Sequence, residues 1–129
     1  MMGRISLMLL LVTAAPLSAQ DRDAPDYYLD EIVAVTTAQQ LAEFCADVEF
    51  VVARAVESSG DLVARLAADG YDTQSPTLGM MAAPDRILER QQAFMDKHDM
   101  TTDNPACKAA KIEMAENSAI GRYLTEVQQ

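Results

Sequence analysis

Apolar residues recur every three or four positions along most of this 129-residue chain from Tyr27 onward, a spacing typical of amphipathic helices. The first run continues to Asp69, and Gly70 supplies a C-terminal stop. A run of about forty residues is too long for one straight helix in a small domain, so we expect a bend near residues 45–47. The periodicity stays in phase through residues 58–60, which favours a continuous helix there.

The second half of the chain predicts two more helices separated by turn-forming segments. Residues 70–84 are rich in glycine, proline and threonine and are expected to be irregular. A helix is expected over residues 85–98, and a last one over residues 105–127 with proline in its first turn. Strand-like alternation is missing from the sequence, so the predicted fold is all-α, a small four-helix domain over residues 27–129.

The N-terminus has the order of a secretory signal peptide. Arg4 supplies a positive charge, residues 5–15 form an uncharged apolar run, and small residues up to Ala19 provide a cleavage site. The run is too short to span a bilayer, which requires about 20 apolar residues. We therefore expect residues 1–19 to be removed and residues 20–26 to form a flexible acidic leader. The mature protein is expected in the periplasm or outside the cell after Sec-type export, without membrane insertion.

The charge balance limits the partners of the mature chain. Cleavage would remove Arg4 and no acidic residue, leaving nine basic and twenty acidic side chains and a net charge of −11. Such acidity argues against nucleic acid, whose phosphates are recruited by lysine and arginine. A basic protein would be attracted, although this charge also simply keeps a protein soluble.

The two cysteines, Cys45 and Cys107, predict a disulfide in an oxidising compartment. They are too far apart in sequence for a Cys-x-x-Cys redox motif, and two thiolates are too few for a typical thiolate metal site. A bridge closing this loop would stabilise the fold by about 4 kcal/mol on the chain-entropy estimate. It would join the end of the first helix to the start of the last.

Three short features occur together in this chain: the cysteine pair Cys45 and Cys107, the helix end Gly70-Tyr71, and the tail pattern Ile120-Gly121-x-x-Leu124. In combination they resemble a family of small exported alphaproteobacterial proteins that is classed as a domain of unknown function. The resemblance implies a helical exported domain and supplies no activity.

One short segment contains a possible metal-ligand set. Met95, His98 and Met100 place two thioethers and an imidazole within six residues, and these are ligands that suit Cu(I). The alternative is that Met95 fills the core while His98 lies at an exposed helix end. Around them, Arg86 and Arg90 are expected to lie on a solvated outer face of the third helix and to pair with nearby glutamate.

Apolar residues in the irregular segment provide a candidate interaction site at Leu78, Met80 and Met81. Apolar side chains in a loop either cover the core or contact a partner, and covering is the favoured of the two. The chain has no Gly-x-Ser-x-Gly, His-Glu-x-x-His or phosphate-binding glycine loop, so we expect neither an enzyme nor a bound cofactor.

Three functions therefore follow as hypotheses. The first is a non-enzymatic periplasmic accessory protein that binds another protein. The second is an acid-activated periplasmic chaperone, since twenty carboxyl groups would become neutral at low pH. The third is copper binding through Met95, His98 and Met100.

Overall fold

The computed structural model describes residues 21–129, so the predicted signal peptide and its cleavage site lie outside the described residues. No helix among the described residues has the length and apolar character needed to cross a membrane. The elements in chain order are α1 (Asp26–Phe44), β1 (Val48–Phe50), α2 (Val52–Ala68), α3 (Pro84–Lys97), α4 (Pro105–Ala115), a 3₁₀ turn (Gly121–Tyr123) and β2 (Leu124–Glu126).

The four predicted helices are confirmed, but the prediction of a last helix over residues 105–127 is wrong. The helix α4 ends at Ala115, and Asn117 adopts a left-handed backbone with φ of 49° that an α-helix cannot continue through. The chain then turns back, and β2 pairs antiparallel with β1, with Phe50 opposite Leu124. The fold is therefore mostly helical with a two-stranded sheet, rather than all-α. The strands escaped prediction because three residues each are too few to show alternation.

The helix α2 runs without interruption through residues 58–60, as its periodicity indicated. It ends in a Schellman motif, in which the Gly70 amide donates to the Ala67 carbonyl and the Tyr71 amide donates to the Leu66 carbonyl. Gly70 has a φ of 85°, which suits a residue without a Cβ. The predicted stop at Gly70 is therefore confirmed.

Two apolar clusters form the interior. The larger one surrounds the disulfide between Cys45 and Cys107, whose Cα atoms lie 5.0 Å apart, and this bond was predicted correctly. It joins the end of α1 to the first turn of α4 and is covered by the sheet. The smaller cluster contains four buried residues, Ala24, Leu29, Leu66 and Met80.

Part of the segment predicted to be a flexible leader is fixed to the rest of the protein. The Arg22 amide donates to the Gly79 carbonyl at 3.0 Å, and the Met81 amide donates to the Arg22 carbonyl at 2.8 Å. Ala24 is buried in the smaller cluster. The prediction failed for residues 22–24 because backbone pairing with a distant segment leaves no pattern in the local sequence.

Several apolar residues that fit the helical periodicity are exposed. Val56 of α2 and Leu88 of α3 are 66% and 62% exposed, and every α3 side chain is at least partly accessible. Each of these helices contacts the rest of the protein along one edge, so only part of its apolar stripe is covered. Periodicity predicts that such residues share a face, whereas the tertiary structure decides which face is covered.

Candidate functional site

An open groove of about 710 Å³ lies between α1, α3 and the segment that precedes α4. Its apolar walls include Leu41, Phe44, Leu88, Met95 and Met100. The remaining lining residues include glutamine and asparagine amides, and none of the described residues that line the groove is charged. A chain with twenty acidic residues thus presents a neutral, largely apolar concavity.

The groove walls expose large apolar side chains that a folded protein usually covers. Phe44 is 72% exposed, Leu88 62% and Met95 47%. Single exposed hydrophobic residues are ordinary, but a contiguous set along a concave surface is typical of a binding site. This arrangement defines the candidate site, which we call the α1–α3 groove.

Ion pairs fix the first half of α3 against α1 and so hold one wall of the groove in place. Arg86 and Arg90 both donate to Asp26, at 2.6 and 2.7 Å, and Arg90 also donates to Asp30 at 2.6 Å. These hydrogen bonds from Arg86 and Arg90 lower the pKa of Asp26. The prediction of a solvated outer face with pairs inside α3 is therefore wrong for both arginines. The reason is that their partners are carboxylates sixty or more positions earlier in the chain.

A buried polar cluster fixes the other end of α3 to α4. Glu113 is 2% exposed and accepts hydrogen bonds from Lys97 at 2.9 Å, His98 Nε2 at 2.6 Å and the Ser118 hydroxyl. Burial raises the pKa of this carboxyl, but the donors from Ser118, Lys97 and His98 together outweigh burial and lower it. Lys97 also bonds Glu116 and has a raised pKa, chiefly because of this bond and the one to Glu113.

The predicted copper ligands are divided between two environments. Met95 and Met100 line the α1–α3 groove, whereas His98 is buried and borders a separate, smaller depression beside α4. One ring nitrogen of His98 is already bonded to Glu113. Copper binding by these three residues stays a prediction, and a bound ion would have to use the other ring nitrogen or displace Glu113.

The predicted interaction site at Leu78, Met80 and Met81 is largely turned inward. Met80 is 6% exposed within the smaller cluster, and Leu78 packs against that cluster from outside. Met81 alone of the three is classed as exposed, with 47% of its surface accessible. For Leu78 and Met80, the covering role that the sequence favoured matches their positions, so they offer little surface to a partner.

The α1–α3 groove itself was missed by the sequence reasoning. Leu88 and Met95 share the apolar spacing of the third helix, and that spacing alone predicts an inner, covered face. The available signal was the pair of uncharged glutamines, Gln91 and Gln92, beside that stripe. Two amides where a solvated face usually carries charge indicate a surface that is not simply solvated.

A second polar cluster joins α1, α2 and the C-terminal segment. Glu31 accepts hydrogen bonds from the Ser58 hydroxyl at 2.6 Å and from the Tyr123 hydroxyl, and it forms an ion pair with Arg122. Burial and the bond to Glu31 raise the pKa of Tyr123. Glu31 of α1 is thereby engaged by groups from two other elements, α2 and the 3₁₀ turn, which gives this cluster a structural role.

The fold and the site together define a small, mostly helical, disulfide-linked protein that carries an uncharged open groove on an acidic surface. The chain belongs to the family described as "Family of unknown function (DUF5333)", whose model matches residues 23–125. No curated protein and no solved structure matches the chain. The resemblance to a domain of unknown function is thus confirmed, while the alphaproteobacterial origin stays a prediction.

Proposed function

We propose that this protein is an exported, non-enzymatic accessory protein that binds an amphipathic segment of another protein in the α1–α3 groove. The single observation that supports this most strongly is the groove itself. It is uncharged, about 710 Å³ in volume, and walled by large apolar side chains that the chain leaves exposed. Because the groove is open along α1 and α3, it suits the apolar face of a helix better than an enclosed small molecule.

The charges beside the groove indicate the chemistry of the partner. Exposed carboxylates directly adjoin its lining residues in sequence, namely Glu43 beside Phe44, Glu89 beside Leu88 and Asp96 beside Met95. A partner helix with apolar residues on one face and lysine or arginine on the flanks would complement both features. The acidic surface would also speed its association, with an effect that decreases as salt increases.

Export is part of the proposal. A disulfide is retained in oxidising compartments and is rare in the cytosol, and the described helices include none that could span a membrane. Both features are compatible with a protein outside the cytoplasm. The N-terminal sequence provides the export signal in this interpretation.

Replacing Leu88 by glutamine is expected to weaken partner binding about tenfold or more. The change removes an apolar side chain from the groove wall without adding charge, and full burial of a leucine is worth about 1.5–3 kcal/mol. The probe is a designed 18-residue helical peptide with a leucine face and lysine flanks, and its affinity is measured by calorimetry. A matched peptide with glutamate flanks is expected to bind at least tenfold more weakly.

The matched control is Ile112→Gln, since Ile112 is 45% exposed on α4 and borders a depression away from the groove. This variant should bind the lysine-flanked peptide as the unmodified protein does. Equal losses in the two variants would show nonspecific hydrophobic binding. Failure of the unmodified protein to bind either peptide would contradict the proposed groove function.

The second candidate function is an acid-activated chaperone, and the way in which carboxylates hold α3 in place favours it. Every α3 side chain is at least partly accessible, and the helix is held by carboxylates at both ends, Asp26 and Asp30 at one and Glu113 at the other. Protonation of these carboxyls would release α3 and uncover the apolar surface beneath it. That surface could then hold acid-unfolded proteins.

The free energy of unfolding is expected to be nearly constant between about pH 5 and pH 8 and to fall as the pH drops below about 4.5. Folding lowers the pKa of Asp26 and Glu113 from ordinary values of 3.8 and 4.5. A lowered carboxyl pKa contributes stability that is present above the ordinary value and lost as the pH falls through the folded-state value. Urea unfolding at each pH measures this, and binding of an apolar dye reports the release of α3.

Glu113→Gln should destabilise the protein by about 2 kcal/mol at pH 7, because a buried hydrogen-bonded charge is removed. In this variant the free energy of unfolding should also decrease less steeply as the pH falls below about 4.5. Glu89→Gln is the control, since Glu89 is exposed and makes no ion pair among the described residues. Protection of an acid-unfolded client at pH 3 would support the chaperone function. A protein that binds no dye down to pH 3 would exclude it.

A further inference from the structure

The exposed face of α2 carries an uncharged stripe that no other described element covers. Its positions advance by alternating steps of three and four, the spacing of a heptad seam. The two valines on it lie seven residues apart, and Val56 is 66% exposed. We call this set the α2 seam, and it consists of Ala53, Val56, Gly60, Val63 and Ala67.

Neither packing nor backbone conformation within the described part of the chain requires glycine at Gly60, the centre of the α2 seam. A Cβ added there would meet nothing within 4 Å, and its φ is not among the positive values that call for glycine. Glycine inside a helix lowers helix stability relative to alanine. Close approach of a second helix backbone would supply a reason for glycine here, because small residues at a helix crossing permit short interaxial distances.

The apolar face around the α2 seam is self-complementary. A two-fold axis that crosses α2 between Ser59 and Gly60 places Val56 of one copy opposite Val63 of the other. The same axis brings Val52, which is also exposed, opposite Ala67 of the second copy. An isologous interface requires this kind of symmetry, in which one surface matches itself.

We propose that a second copy of this chain occupies the α2 seam, with the two α2 helices antiparallel and crossing at Gly60. The charges agree with this choice of partner. The four charged residues of α2 are two arginines and two acids, so this helix is neutral in a strongly acidic chain and two copies can approach along it. The α1–α3 groove contains no α2 residue, so both grooves of the dimer stay open.

The test is sedimentation equilibrium of the full chain, expressed with its native N-terminus and characterised by intact mass, over a range of protein concentrations. The unmodified protein is expected to show a monomer–dimer equilibrium. Val56→Asp is expected to raise the dissociation constant about a hundredfold, because each dimer gains two charges at the seam. Ile112→Asp adds the same charge elsewhere and should leave the constant unchanged.

Gly60→Ala separates self-association from monomer stability. Measured at concentrations where the protein is monomeric, it should raise the thermal midpoint by about 4 °C, because alanine favours helix. In the same variant the added methyl group separates the two helices, and the dissociation constant should rise about tenfold.

The proposal is overturned if the unmodified protein stays monomeric up to about 1 mM, a concentration that detects even very weak association. It is equally overturned if Val56→Asp leaves the dimer intact, or if Gly60→Ala tightens it. Leu88→Gln, which tests the groove, should not change the dimer. Failure of peptide binding and failure of dimer formation are therefore distinguishable.

Discussion

Removing the disulfide by replacing both cysteines with alanine is expected to lower the free energy of unfolding by about 4 kcal/mol or more. The bond between Cys45 and Cys107 closes a loop of 62 residues that contains β1, α2 and α3. In the unfolded chain this crosslink removes conformational entropy equivalent to about 4 kcal/mol for such a loop. A stability of about 5–15 kcal/mol is usual, so the loss is a large share of the total.

Reducing the disulfide without replacing the cysteines is the control, because it removes the crosslink and keeps the side-chain volume. Both sulfur atoms lie in the larger apolar cluster, and alanine would leave a cavity there in addition to removing the crosslink. Urea unfolding of the oxidised protein, the reduced protein and the Cys45→Ala, Cys107→Ala variant separates the two effects. Equal unfolding midpoints for the oxidised and reduced protein would contradict the expected role of the bond.

Replacing Gly121 by alanine is expected to destabilise the protein by about 3 kcal/mol. Gly121 opens the 3₁₀ turn and lies directly against the C-terminal turn of α4. An added Cβ would overlap the Glu113 carbonyl and lie 2.7 Å from the Met114 amide nitrogen. These are backbone atoms that cannot rotate away, so the turn or the end of α4 must move, at the cost typical of overpacking.

The consequence should extend beyond local strain. Glu113 anchors Lys97 and His98 of the α3 terminus, and the residues after Gly121 form β2, which covers the disulfide cluster. Gly60→Ala is the matched control, because the same substitution in open space should stabilise the monomer. Chemical unfolding monitored by circular dichroism is expected to give opposite signs for the two variants. A Gly121→Ala variant as stable as the original would show that the turn relaxes freely.

Helices and the disulfide were predictable because local interactions set them. Apolar spacing of three and four residues fixes a helix and its stripe, and Gly70 marks an end because glycine takes a left-handed backbone at little cost. The cysteine pairing followed from a count of two in a chain predicted to be exported. None of these inferences depends on how the helices pack.

The attachment of the N-terminal leader and the structure of the C-terminal segment were not predictable in this way. Arg22 pairs with Gly79 and Phe50 pairs with Leu124, and such bonds involve residues far apart in sequence. Asn117 ends α4 early through one unusual backbone angle, which asparagine tolerates but does not require. A three-residue strand depends on its partner strand more than on its own composition.

The candidate site depended even more on the tertiary structure. Leu88, Met95 and Val56 fit a core pattern, yet they are exposed because α2 and α3 meet the body of the protein along one edge only. Arg90 was expected on a solvated face, but folding brings Asp26 and Asp30 within hydrogen-bonding distance of it. Each of these outcomes depends on where a second element lies.

The sequence by itself therefore determined that the chain forms four helices, where α2 stops, and which cysteines are joined, since each follows from local conformational preference or from a simple count. Only the tertiary structure decided which side of each apolar stripe stays open, and so where the α1–α3 groove and the α2 seam lie. The physical reason is that a stripe records only that its residues share a face. Whether that face is covered is decided by elements distant in the chain.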